Sequence, residues 1–120
     1  MERDEARERL TKLRQEFVSS ATEIRQRLAE PQRDSSDIST VDQHPADVAT
    51  DTADRELDVT RLEMLDARLA QIDDAFDRLK QGTFGVCTVC AQTIPDERLA
   101  LVPDTPFCVK DAQREQARLQ

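Results

Sequence analysis

The sequence predicts an all-α fold: an antiparallel coiled-coil hairpin with a small cysteine knuckle and a C-terminal helix packed at its base. Three observations predict it. Two long stretches place an apolar residue every three or four positions, which is helical spacing. Ala, Leu, Glu, Arg and Gln are abundant, and both glycines, Gly82 and Gly85, fall just before the first cysteine. With 120 residues the chain has room for one domain, yet it lacks tryptophan and tyrosine, and 35% of its residues are charged. Such a chain cannot bury a large globular core, so long helices or a metal must organise it.

The first helix is expected from about Glu2 to Glu30. Ala6, Leu10, Leu13, Phe17, Ala21, Ile24 and Leu28 form one stripe flanked by charge. Pro31 biases Glu30 away from helix. Residues 31–44 carry Pro, Ser, Thr and Asp without periodicity and read as a loop. A second helix is expected from Pro45, a proline at the first helical position with Asp47 in the first turn, to about residue 81. Leu62, Leu65, Leu69, Ile72, Phe76 and Leu79 alternate steps of three and four, a heptad seam. Two such helices joined by a short loop give an antiparallel hairpin over residues 1–81.

Folding about that loop with Leu28 opposite Val48 puts Phe17 near Val59 and Ala6 near Leu69. The first helix then runs out, so residues 82–120 should fold back to cover Ile72, Phe76 and Leu79. That segment has short apolar pieces, three prolines and the cysteines. Thr105 and Pro106 read as the N-cap and first residue of a last helix, to about Leu119.

The cysteines are spaced Cys87-x2-Cys90, then, after seventeen residues, Cys108-x2-Asp111. Two cysteines separated by two residues on a tight turn present two thiolates to one tetrahedral zinc, and a second pair 15–20 residues on completes a knuckle. Cys108 and Asp111, three apart near a helix start, share a face. A carboxylate oxygen is a legitimate ligand, so three cysteines and Asp111 can hold one structural zinc. Asp111 as a plain surface acid remains the alternative. A redox pair at Cys87 and Cys90 would need an alternation of strands and helices that the sequence lacks. His44, the single histidine, reads as a cap or loop residue, too far from the cysteines to join them.

The net charge of −8 opposes binding to bare nucleic acid and suits a protein partner with a basic surface. The Glu- and Arg-rich start resembles no signal peptide, and no apolar run is long enough to span a membrane. A cytoplasmic location is therefore expected, as a monomer, and an odd cysteine count there points to metal or thiol chemistry. No nucleophile–base set suggests an enzyme.

With hairpin and knuckle both in view, the sequence resembles the DksA/TraR family of zinc-finger transcription regulators. The resemblance rests on Gly82-Thr-Phe-Gly85-Val-Cys87-Thr-Val-Cys90, then Ile94, Arg98-Leu99, Pro103 and Cys108, and on His44-Pro45-Ala46-Asp47-Val48-Ala49 forty residues before Cys87. It covers roughly residues 40–111. What it implies is a non-enzymatic factor that docks at the rim of the RNA polymerase secondary channel. There it inserts the hairpin tip towards the active site and modulates initiation. The resemblance makes Asp47 the tip acid, Ala49 its small neighbour and Arg98 a docking residue. The family's first tip acid is replaced by His44, with Asp42 two residues away to substitute. The family's fourth cysteine is Asp111. The resemblance also brings in the alarmone ppGpp and the stringent response, but basic positions some members use for it fall here on Met64, Gln71 and Ala112. A second reading keeps the zinc as a staple and makes the hairpin a coiled-coil adaptor or scaffold with no polymerase role.

Overall fold

The protein is described from a computed structural model, which covers residues 1–30 and 45–119, the side chains of 45–49 excepted. Among the described residues four helices follow in order: α1 Arg3–Ala29, α2 Pro45–Gln81, α3 Asp96–Leu101 and α4 Val109–Leu119. α1 carries Asp4 and Glu5 in its first turn and Arg27 in its last, each sign set against the helix dipole. It stops because Glu30, held before a proline, takes an extended conformation. α2 ends where Gly82 adopts a positive φ of 77°. Thr83 N–H then reaches back to the Arg78 carbonyl at 2.9 Å and Gly82 N–H to that of Leu79 at 3.4 Å. This is a Schellman stop, which turns the chain out of the helix and into the knuckle.

α1 and α2 lie side by side over a buried strip of Ala6, Leu10, Ile72, Ala75 and Leu79. Alanines at 6 and 75 let the helices approach closely. Leu10 and Ile72, both wholly buried, each contribute about 2 kcal/mol by removing apolar surface from water. Outside the strip, α1 supplies arginines and α2 aspartates: Arg14–Asp73 at 3.0 Å, Arg25–Asp66 at 2.7 Å and Arg27–Asp58 at 3.0 Å. The first two pairs are exposed and stabilise by only about 0–1 kcal/mol each, so they select register more than they hold the fold, whereas Asp58 is buried and takes both hydrogen bonds of Arg27.

That register departs from the expected one. Leu28 and Glu30 give their carbonyls to Arg55, at 3.1 and 3.4 Å, so Val48 is not opposite Leu28. Phe17 lies under the Arg68 guanidinium, 5.1 Å from ring centroid to charge, rather than near Val59. Ala6 meets Ile72, Ala75 and Leu79 instead of Leu69. The physical reason is the distribution of apolar volume. Residues 45–54 offer only alanines and Val48, whereas Ile72, Ala75 and Leu79 provide a continuous strip, so α1 slides towards the base to cover it. The molecule is 62 Å long, close to the roughly 55 Å of a 37-residue helix, so α2 sets its length.

The C-terminal segment does fold back on the hairpin base, but it covers less of the seam than expected. Ile72 and Leu79 are buried chiefly by α1, while Phe84 bridges the hairpin strip and the knuckle's own cluster of Cys87, Ile94 and Leu99. Two further hydrogen bonds tie the base. Arg3 Nη2 donates to the Leu79 carbonyl at 2.8 Å, and Arg9 Nη1 to that of Ala100 at 3.4 Å. α3 was not expected. Pro95 followed by Asp96 and Glu97 is its local signal, a proline and acids at a helix start.

The last helix opens later than Thr105. Thr105 Oγ1 instead accepts from Phe107 N–H at 3.2 Å and donates to the Phe107 carbonyl at 3.0 Å, closing a local turn. The hydroxyl is thereby consumed four residues before α4 begins.

Candidate metal centre

The knuckle is built from two arms. In the first, Gly85 to Ile94, Ile94 N–H donates to the Gly85 carbonyl at 2.7 Å and Cys87 N–H to that of Gln92 at 2.8 Å, around a single bridge between Val86 and Thr93. Ala91 N–H closes the turn onto the Cys87 carbonyl at 3.0 Å, and Ala91 is held at a φ of 63°. This tight turn brings Cys87 and Cys90 to the same side. The second arm places Cys108 directly before α4 and Asp111 in its first turn, where unpaired amides and the helix dipole favour negative groups. Thr88 joins the arms by donating from both its N–H and its hydroxyl to the Pro106 carbonyl, at 2.9 and 3.2 Å.

The four ligand atoms of Cys87, Cys90, Cys108 and Asp111 lie within 4.8 Å of one another. Cys90 Sγ and Cys108 Sγ are 3.8 Å apart, and Asp111 Oδ2 lies 3.1 Å from Cys87 Sγ and 3.2 Å from Cys108 Sγ. Two sulfurs each about 2.3 Å from one tetrahedral zinc would stand roughly 3.8 Å apart, so the cage has zinc dimensions. Cys87 and Asp111 are buried, at 2% and 4% exposure, Cys108 is half-buried and Cys90 reaches solvent.

The electrostatics call for a cation. Thiol hydrogen bonds from Cys87, Cys90 and Cys108 hold the Asp111 carboxyl below its usual range, against the cost of burial and with help from Arg114. Burial opposes ionisation of Cys87, but the amides of Cys90, Cys108 and Val89 outweigh it and leave that thiol lowered, although Asp111 pulls the other way. Cys90 receives an amide hydrogen bond from Gln92 that favours its thiolate. Asp111, desolvation and the neighbouring thiols overcome it and push Cys90 up to about 12. Four acidic groups thus compete for one small space, which a dication resolves by taking all four as anions. The donor set fits one structural zinc, with the protein supplying every position.

The other residues singled out in the sequence lie elsewhere. Asp42 and His44 fall outside the described residues, and Asp47 and Ala49 belong to the first turns of α2. Arg98 is committed inside the knuckle. Its Nε donates to the Phe107 carbonyl at 3.0 Å and its Nη2 to Thr105 Oγ1 at 3.3 Å, so it braces the turn that leads into Cys108. Arg98 is half-buried by these contacts. Of the positions expected to lack alarmone charge, Gln71 donates to Asp104 at 2.8 Å and Met64 is 65% exposed. Asp104 itself, wholly buried, gave no sign in the sequence beyond its place between two prolines.

Comparison with known proteins agrees with this geometry. Residues 82–117 match the prokaryotic dksA/traR C4-type zinc finger, with Asp111 standing where that type carries its fourth cysteine. The chain is 43% identical over 63 residues to general stress protein 16O of Bacillus subtilis and 40% identical over 47 residues to an uncharacterized protein of Aquifex aeolicus. Those alignments take in 52% and 39% of this chain but only 39% and 32% of the relatives, so the chain matches well under half of their length. The structure of transcription factor DksA2 from Pseudomonas aeruginosa is similar over 97% of this chain and 84% of that one, with a TM-score of 0.70 and 27% identity. Hairpin, knuckle and ligand spacing together make the chain similar to the DksA/TraR zinc-finger proteins, and residues 82–117 carry that family's zinc finger.

Proposed function

We propose that this protein is a transcription regulator that binds RNA polymerase directly and modulates initiation by inserting the hairpin tip into the secondary channel. The observation that carries the reading is the length of the likeness to a transcription factor, which runs through hairpin and knuckle alike. The molecule has the parts such a task needs. A narrow two-helix rod enters a channel, and a wider base stops it at the rim. Asp47, in the first turns of α2, is the residue proposed to act, with Asp42 standing in for the acid that His44 replaces. A carboxylate carried to a magnesium-dependent active site changes the local field without touching DNA sequence. Zinc contributes only the shape of the base, and the chain performs no catalysis.

The reading does not rest on ppGpp, because Met64, Gln71 and Ala112 remove basic groups from the positions concerned. The test measures occupancy and effect separately. Full-length protein should bind core polymerase, and Asp47→Asn should bind nearly as well yet lose most of its effect on initiation at matched occupancy. Regulation by Asp47→Asn equal to the parent would sink the tip mechanism. Failure of the parent to bind core polymerase would sink the whole reading and leave a coiled-coil adaptor.

A further inference from the structure

The two oxygens of Asp111 face different partners. Oδ2 points into the cage, 3.1 and 3.2 Å from the sulfurs of Cys87 and Cys108. Oδ1 lies 3.6 Å from Nη1 of Arg114, one turn further along α4. We propose that Asp111 holds the zinc through Oδ2 alone, and that Arg114 is the positioning residue that keeps Oδ1 out of the metal's reach. A thiolate has one donor atom, whereas a carboxylate can bind a metal through both oxygens. Replacing the fourth cysteine by aspartate therefore creates a freedom that the four-cysteine site lacks, and a guanidinium on the outer oxygen removes it. Charge points the same way. Three thiolates and a carboxylate around a dication leave two negative charges on a site whose Asp111 is 4% exposed, and Arg114 offsets one of them. Because Arg114 is itself 69% exposed, its hold is modest and its effect belongs at the low end for outer partners of metal ligands.

The test is a double-mutant cycle on the full-length chain, read by titration with zinc and cobalt(II) against a competing chelator. Cobalt(II) reports coordination directly, since a tetrahedral site absorbs visible light far more strongly than one with a fifth ligand. Arg114→Met in the parent should lower affinity for both metals by about tenfold and weaken the cobalt band as Oδ1 joins the shell. Arg114→Lys should restore most of both. In an Asp111→Cys background the same Arg114→Met change should alter neither, and Asp111→Asn serves as a second background if the cysteine variant does not fold. Equal losses with and without Asp111 would overturn the proposal, since Arg114 would then act through the helix or the overall charge. No loss in the parent would overturn it too, as would a parent cobalt spectrum already typical of five ligands. Failure of the parent to take up either metal would overturn the metal centre and this inference together, an outcome distinct from the others and silent on polymerase binding.

Discussion

Arg68 grips the carboxylate of the wholly buried Asp104 from both sides, Nε and Nη2 each at 2.8 Å, while its other face lies over the ring of Phe17. One side chain of α2 thus joins the knuckle to α1. Gln71 completes the shell of Asp104 from the next turn, also at 2.8 Å. The two ends of the pair differ in burial, and that asymmetry makes a prediction. Removing Arg68 strands a charge with no access to water, whereas removing Asp104 leaves an arginine that still reaches solvent. Arg68→Ala should cost about 3–5 kcal/mol and Asp104→Ala about 1–3 kcal/mol. Denaturant unfolding of the zinc-loaded protein measures both, and equal losses would contradict the account.

Zinc removal should separate the base from the rod. The strip of Ala6, Leu10, Ile72, Ala75 and Leu79 is formed by α1 and α2 alone, so it does not depend on the ligands. Chelation, or Cys87→Ser, should release Phe84 and the cluster of Ile94 and Leu99 while the hairpin stays helical. Hydrogen exchange would show fast amides over residues 85–94 and 105–112 with protection kept along both long helices. Loss of protection throughout would show that the hairpin needs the metal.

Acid should weaken the outer half of the hairpin through Asp58. The hydrogen bond from Arg27 holds the Asp58 carboxyl below its usual value, against desolvation, with Arg61 and Arg55 adding to the effect. The folded pKa is the lower one, so this stabilisation is complete above the unfolded value near pH 4 and disappears as pH falls through the folded value. Asp58→Asn should therefore unfold more readily than the parent at neutral pH, and the two should converge in strong acid. A constant difference across the whole range would rule the linkage out.

Ala91 offers a stabilising change. It sits at a φ of 63°, where a side chain meets the following carbonyl, and it does so at the end of the turn that carries Cys87 and Cys90. Ala91→Gly removes that strain at the cost of some backbone entropy and should gain about 0.5–1 kcal/mol. The gain should appear as tighter zinc retention in chelator competition, with the hairpin's own unfolding unchanged.

The local features were open to reading in one dimension. Periodicity of three and four, Pro31 after Glu30, Pro45 at a helix start and Gly82 at its end act on the residues beside them, so they mark α1 and α2 without knowledge of the fold. Ligand spacing is local as well, because Cys87 with Cys90, and Cys108 with Asp111, are each brought together by a single turn. The start of α4 was misplaced for a related reason. Thr105 has two possible uses for its hydroxyl, and only the packing of Arg98 against Phe107 decides between them.

By itself, the sequence determined which segments are helical, where they stop, and which side chains can meet one metal, since those depend on neighbours a few residues apart. Tertiary structure decided the register of α1 on α2, the burial of Asp104 and the contacts of Arg98 with Thr105 and Phe107. With 25 acidic and 17 basic side chains, almost any alignment of the two helices offers some ion pairs, and each is too weak in water to choose. The choice falls to the one register that puts Ala6 and Leu10 over Ile72, Ala75 and Leu79, because only contact between elements distant in sequence removes that surface from water.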